Sequence, residues 1–129
     1  METITLPSMK ALGLPFCSPA RAGDFLYLSG AIGNRPGAMT LVEGGLAAQA
    51  RQAMENIGEV LRACGLGFDD TVKFTIMLAD MRRWAEFNAV YVSYFDPARL
   101  PARSAFGANG LALGGEVEVE CVAYWPRER

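Results

Sequence analysis

Two charged elements in the last third of the chain have types and spacing suited to chemistry. Glu116, Glu118 and Glu120 alternate with Val117 and Val119, so on a strand the three carboxylates share one face. Taken alone, such a row is a solvated strand face. Here the same face runs on into Val122 and Tyr124, so part of it is expected to be covered. A carboxylate at the edge of that cover has a raised pKa, as a general base or acid needs. Fifteen residues before Glu118 stands Arg103, in Pro101-Ala102-Arg103-Ser104. A lone arginine is ordinarily a surface charge or an ion-pair partner. Pro101, however, restricts the residue before it and helps fix the approach to the strand. A guanidinium held rigidly can grip a small carboxylate through two parallel hydrogen bonds.

What is missing narrows the chemistry further. The 129 residues include no histidine, which excludes a Ser-His-Asp triad, a Cys-His dyad and any His-ligated metal. Cys17, Cys64 and Cys121 are odd in number, far apart and without a Cys-x-x-Cys pair. They are read as free thiols, buried or half-buried, and not as a disulfide framework or a zinc site. A net charge of -2 argues against a nucleic-acid or anionic-membrane binder, which carries a basic surplus. No apolar run approaches the roughly 20 residues that span a bilayer. The start, Met1-Glu2-Thr3-Ile4-Thr5-Leu6, lacks the basic and apolar regions of a signal peptide, so a cytoplasmic protein is expected.

The elements that must position these residues follow from periodicity. Between Leu46 and Cys64 the apolar positions Ala50, Met54, Ile57, Leu61 and Cys64 fall alternately four and three apart, one stripe of a helix, with Gly65 as its stop. A second helix is expected from Asp80, a good N-cap, through Trp84, Phe87, Tyr91 and Tyr94, ending at Asp96-Pro97. Strands are expected at Phe25–Leu28, Val72–Leu78, Ser104–Phe106 and Val117–Trp125, and a turn at Gly33–Gly37. One domain over residues 1–129, with one helical layer on one face of a mostly antiparallel sheet, satisfies that order. The other face is left bare. With 51% apolar residues, more than a small monomer needs, association over that face is expected.

Pro101-Ala102-Arg103-Ser104 followed by Val117-Glu118-Val119-Glu120 resembles the C-terminal signature of the reactive intermediate deaminase family (RidA, YjgF-like), including its spacing. Leu28-Ser29-Gly30 looks like the end of that family's early strand. Ala48-Gln49-Ala50-Arg51-Gln52 with Asn56 resembles its first helix, and Phe87-Asn88-Ala89-Val90-Tyr91 its second. The resemblance implies a chorismate-mutase-like α+β fold and a homotrimer with clefts between subunits. It also implies hydrolysis of 2-imino acids and their enamine tautomers to 2-keto acids and ammonia, without metal or cofactor. By position, Arg103 would bind the substrate carboxylate and Glu118 would place or activate water. Ser29 and the backbone of Gly30 would line the cleft, Asn88 would add a polar contact, and Leu100 would sit at the apolar wall. The sequence departs from the family pattern at three points. Leu14-Pro15-Phe16 replaces the usual Gly-Pro-Tyr, so by the resemblance Phe16 would stand at the cleft without the family's phenol. Gly30-Ala31-Ile32-Gly33 replaces Gly-Gln-Ile-Pro, and Ala105 stands where a Cys is common. Deamination of another small carboxylate, such as an amino-muconate, and non-catalytic binding of small carboxylates both remain open at this point. A binder would need Arg103 but not Glu118.

Overall fold

The computed structural model describes residues 1–10, 12–15 and 18–127. In chain order its elements are β1 (Glu2–Thr3), α1 (Pro7–Lys10), β2 (Pro19–Ala22), β3 (Phe25–Leu28), β4 (Ala31–Ile32) and α2 (Gly45–Ala63). They are followed by β5 (Thr71–Leu78), α3 (Trp84–Tyr91), β6 (Ala102–Gly107) and β7 (Val117–Tyr124). The strands form one sheet in the order β1-β2-β3-β7-β5-β6, and β4 pairs with β7 beyond the end of β3. All pairs are antiparallel except β5–β6, which is parallel. The parallel pair requires a crossover connection, and α3 lies within it. The architecture is therefore α+β with a mixed sheet.

α2 carries the expected stripe. Ala50, Met54, Ile57 and Leu61 are fully or almost fully buried, joined by Leu46, Ala53 and Val60. The helix stops as Gly65 takes φ 74, and the amides of Gly65 and Leu66 bond back to Arg62 and Leu61 at 3.0 and 2.8 Å. Only glycine enters that left-handed conformation without strain. On the sheet, Leu26, Leu28, Phe74, Ile76, Leu78, Val117, Val119, Cys121 and Ala123 are all buried in one core with α2 and α3. Phe74, Tyr91 and Phe95 form its aromatic centre, with ring centroids 4.7–5.5 Å apart. On the other face Phe25, Tyr27, Phe106 and Tyr124 are exposed, and Phe25 packs on Tyr124 at 5.6 Å.

The second helix is shorter than the periodicity suggests. Met81–Arg83 and Val92–Tyr94 are 3₁₀ turns flanking α3, and the Asp80 side chain accepts from the Arg82 amide at 3.0 Å, so it caps the first turn. Four short elements lie outside the sequence expectation: β1, β2, β4 and α1. Runs of two to four residues show no usable period, and Pro19-Ala20-Arg21-Ala22 lacks the β-branched residues that mark strands. Of the cysteines, Cys64 is half-buried and Cys121 buried, both free, and Cys17 lies outside the described residues.

Two amides tie the sheet to α2. The Asn56 amide donates to the carbonyls of Ile32 and Asn34, each at 3.1 Å, and Gln49 Oε1 accepts from the Glu116 amide at 2.9 Å. The close approach at Gln49 also needs Gly33, because a Cβ there would lie 2.5 Å from Gln49 Cα. Gly33→Ala is expected to lower stability by about 1–3 kcal/mol, the usual cost of overpacking. Urea denaturation measures it.

Candidate functional site

Glu118 is held from three sides. It pairs with Met77 of β5 on one flank and with Ile32 of β4 on the other, and Gln49 anchors the chain two residues upstream. Gly30 closes the third side. A Cβ on Gly30 would run into the Glu118 carboxylate, coming within 2.9 Å of its Cδ, so only glycine leaves that carboxylate its place. The room comes from the strand. Pairing with β7 slips by one residue between β3, where Tyr27 faces Val122, and β4, where Ala31 faces Val119. Ser29 and Gly30 are thus a bulge over β7. Such bulges re-aim side chains and recur beside active sites.

Burial raises the pKa of Glu118 above the ordinary carboxylate value, and the neighbouring charge of Glu120 raises it further. Among the described residues no cation pairs with it. A half-buried, unpaired carboxylate of this kind is suited to taking and returning a proton.

Arg103 stands elsewhere. It is registered against Phe74, and Phe74 against Cys121, so Arg103 belongs to the helix-covered side of the sheet. Glu118 is registered against Met77 and belongs to the open side. One chain therefore presents the two charges on opposite faces, with β5 between their strands. The Arg103 guanidinium lies 4.8 Å from the Tyr91 ring centroid and 5.7 Å from that of Trp84. These contacts hold its plane by cation–π attraction. No carboxylate among the described residues neutralises it. Asn88 sits between Trp84 and Tyr91 on the same stripe of α3. Its Oδ1 and the Tyr91 hydroxyl are buried with no hydrogen-bond partner among the described residues, and burial pushes the Tyr91 phenol up to about 12.

The residues expected from the sequence thus fall into two groups. Ser29, Gly30 and Glu118 line one cavity. Arg103 and Asn88 belong to a separate surface beside α3. Leu100 is exposed just before β6, and Phe16 lies outside the described residues. In the sequence Trp84 and Tyr91 mark only the spacing of a helix stripe. Their contact with Arg103 joins residues far apart in sequence, and no local pattern signals it.

The chain matches the family model described as endoribonuclease L-PSP over residues 9–125. It is similar to the 2-iminobutanoate/2-iminopropanoate deaminases of Mus musculus and Bos taurus. It is 38% identical to the mouse protein over 92% of this chain and 87% of that one, and 40% identical to the bovine protein over 92% and 85%. Among solved structures, RidA from the Antarctic bacterium Psychrobacter sp. aligns with TM-score 0.81 and 36% identity, covering 86% of this chain and 89% of that one. The YjgF gene product of E. coli aligns with TM-score 0.84 and 29% identity over 96% and 98%. With a family match across nearly its whole length and relatives of this similarity, the chain belongs to the endoribonuclease L-PSP family, the RidA/YjgF proteins.

Proposed function

We propose that this protein hydrolyses 2-imino acids, and the enamines that tautomerise to them, to 2-keto acids and ammonia, as a cytoplasmic homotrimer of chorismate-mutase-like packing. One observation carries the reading. Neither Arg103 nor Glu118 has an ion-pair partner among the described residues, and the two face opposite sides of one sheet. They meet over one substrate only when Arg103 of one copy approaches Glu118 of another, so each site lies at a boundary between copies. The exposed aromatics of the open face supply apolar area for that association. The names of the mouse and bovine relatives support the reaction.

The chemistry needs no nucleophile from the protein, because an imine carbon is already electrophilic. Arg103 holds the substrate carboxylate and Asn88 adds a polar contact. Glu118 takes a proton from water as its oxygen bonds to C2 and passes that proton to the imine nitrogen, giving a carbinolamine. It then takes the hydroxyl proton as the C=O forms and delivers it to the amine, the C–N bond breaks and ammonia leaves. The bulge at Ser29 and Gly30 forms the near wall, Leu100 the apolar one, and Phe16 is assigned to the cleft. No metal or organic cofactor enters these steps. The family description names a nuclease, but the site offers an RNA backbone the two carboxylates Glu118 and Glu120, on a chain of net charge -2.

The test is hydrolysis of freshly generated 2-iminobutanoate, paired with light scattering at micromolar concentration. A trimer that speeds imine decay is expected. A stable monomer would remove the shared site, and a trimer without activity would remove the reaction.

A further inference from the structure

Arg103 is held by its face and left open at its edge. Its strand, β6, is the last of the sheet, and no carboxylate among the described residues pairs with it. The guanidinium lies instead against two rings of α3, Tyr91 and Trp84. An acidic neighbour would also hold the group, but it would occupy the N–H edge and cancel the charge. A ring face attracts the cation and leaves the in-plane N–H donors to a guest carboxylate.

The two rings differ in what holds them. Trp84 is 45% exposed and Tyr91 only 4%. The Tyr91 ring meets Phe74, Phe87 and Phe95, with centroids 5.5, 5.8 and 4.7 Å away, and Phe74 and Phe87 are fully buried. Phe74 is also the register partner of Arg103 across the β5–β6 pair. A ring packed on three others inside a close-packed core has no room to turn or withdraw. With its phenol pushed up to about 12, it also stays neutral at any ordinary working pH. Its hydroxyl has no partner among the described residues, so the ring face is what Arg103 meets.

We propose that Tyr91 is the positioning residue of the carboxylate clamp, its buried ring fixing the plane of Arg103 before a substrate arrives. This rests on the deaminase reading above, which supplies the guest carboxylate. Without the seat, the long Arg103 side chain must be ordered at the moment of binding. Ordering one such side chain costs about two- to tenfold in affinity. Glu118 works from the opposite face of the sheet, so turnover of bound substrate should not change.

Calorimetry with 2-oxobutyrate and imine kinetics on the full-length protein give the test. Tyr91→Leu should raise Kd and KM by that two- to tenfold and leave kcat alone, while Tyr91→Phe, which keeps the ring, should restore both. Added to Arg103→Ala, Tyr91→Leu should cost nothing more, because the group it seats is gone. An equal loss on both backgrounds, or a fall in kcat, would make Tyr91 a packing residue only. Wild-type binding by Tyr91→Leu, or an equal loss in Tyr91→Phe, would also overturn the ring as the seat. Should Tyr91→Leu fail to fold, nuclear magnetic resonance of the ligand-free wild type decides. Arg103 side-chain protons shifted upfield by the ring support the seat, and signals averaged to those of a free arginine overturn it. Failure of the wild-type protein to bind 2-oxobutyrate or hydrolyse the imine would instead remove the deaminase reading, and the role of Tyr91 with it.

Discussion

Glu118→Gln is expected to lose about 10²–10⁴-fold in imine turnover, the usual contribution of a general acid–base residue, while binding a 2-keto acid such as 2-oxobutyrate almost normally. The substitution keeps shape and removes the base. Unfolding will not mimic the effect, and the sign of the pKa shift says why. Burial, then the Glu120 charge, raises the folded pKa of Glu118. A carboxylate raised in this way contributes stability below its unfolded pKa and loses it as pH rises through the folded value. At pH values above the folded pKa the ionised Glu118 thus costs stability, and there the neutral amide should melt no lower than wild type. The same shift sets the acid limb of the wild-type pH–rate profile, where activity falls at a pH above the ordinary glutamate range. Calorimetry with the keto acid, imine decay and a thermal melt separate these effects. Wild-type turnover in Glu118→Gln would reduce Glu118 to a solvated strand residue.

Arg103→Ala is expected to weaken keto-acid binding roughly ten- to a hundred-fold, since losing a hydrogen bond to a charged group costs about 1.5–3 kcal/mol. The opposite-face geometry adds a sharper outcome. Each variant alone lacks one half of every site. When the two are unfolded together in equal amounts and refolded as mixed trimers, some boundaries join an intact Arg103 to an intact Glu118. Random assembly of a cyclic oligomer places that combination at roughly a quarter of the boundaries, so about that share of activity should return. A site contained within one subunit would return none. Normal keto-acid binding by Arg103→Ala would remove Arg103 from the site.

Much of this arrangement is legible along the chain. The stripe of α2 and the alternation in β5 and β7 are local patterns, because helix and strand side chains repeat every 3.6 and 2 residues. The stripe gathers Ala50, Met54, Ile57 and Leu61, all buried in the core, while the alternation groups Val72, Phe74, Ile76 and Leu78, of which the last three are buried and Val72, at the register shift between Thr71 and Lys73, is exposed. The glutamate row on β7 was also legible, including that its face would be partly covered, and Glu118 is half-buried while Glu120 is exposed. The parallel β5–β6 pair was not. A strand carries no local mark of its neighbour's direction, and here the direction follows from the length and path of the α3 crossover.

By itself, the sequence determined which residues can do chemistry and which chemistry is closed to them: carboxylates and an arginine, no histidine, and a signature that resembles one family. Only the tertiary structure decided how those residues stand to one another. The one-residue slip at Ser29–Gly30, the seat of Arg103 on Trp84 and Tyr91, and the opposite faces of Arg103 and Glu118 all depend on pairings between segments tens of residues apart. Side-chain periodicity says that residues share a face. The register with a distant strand says which face it is, and that choice is made by burial of the whole sheet against α2 and α3.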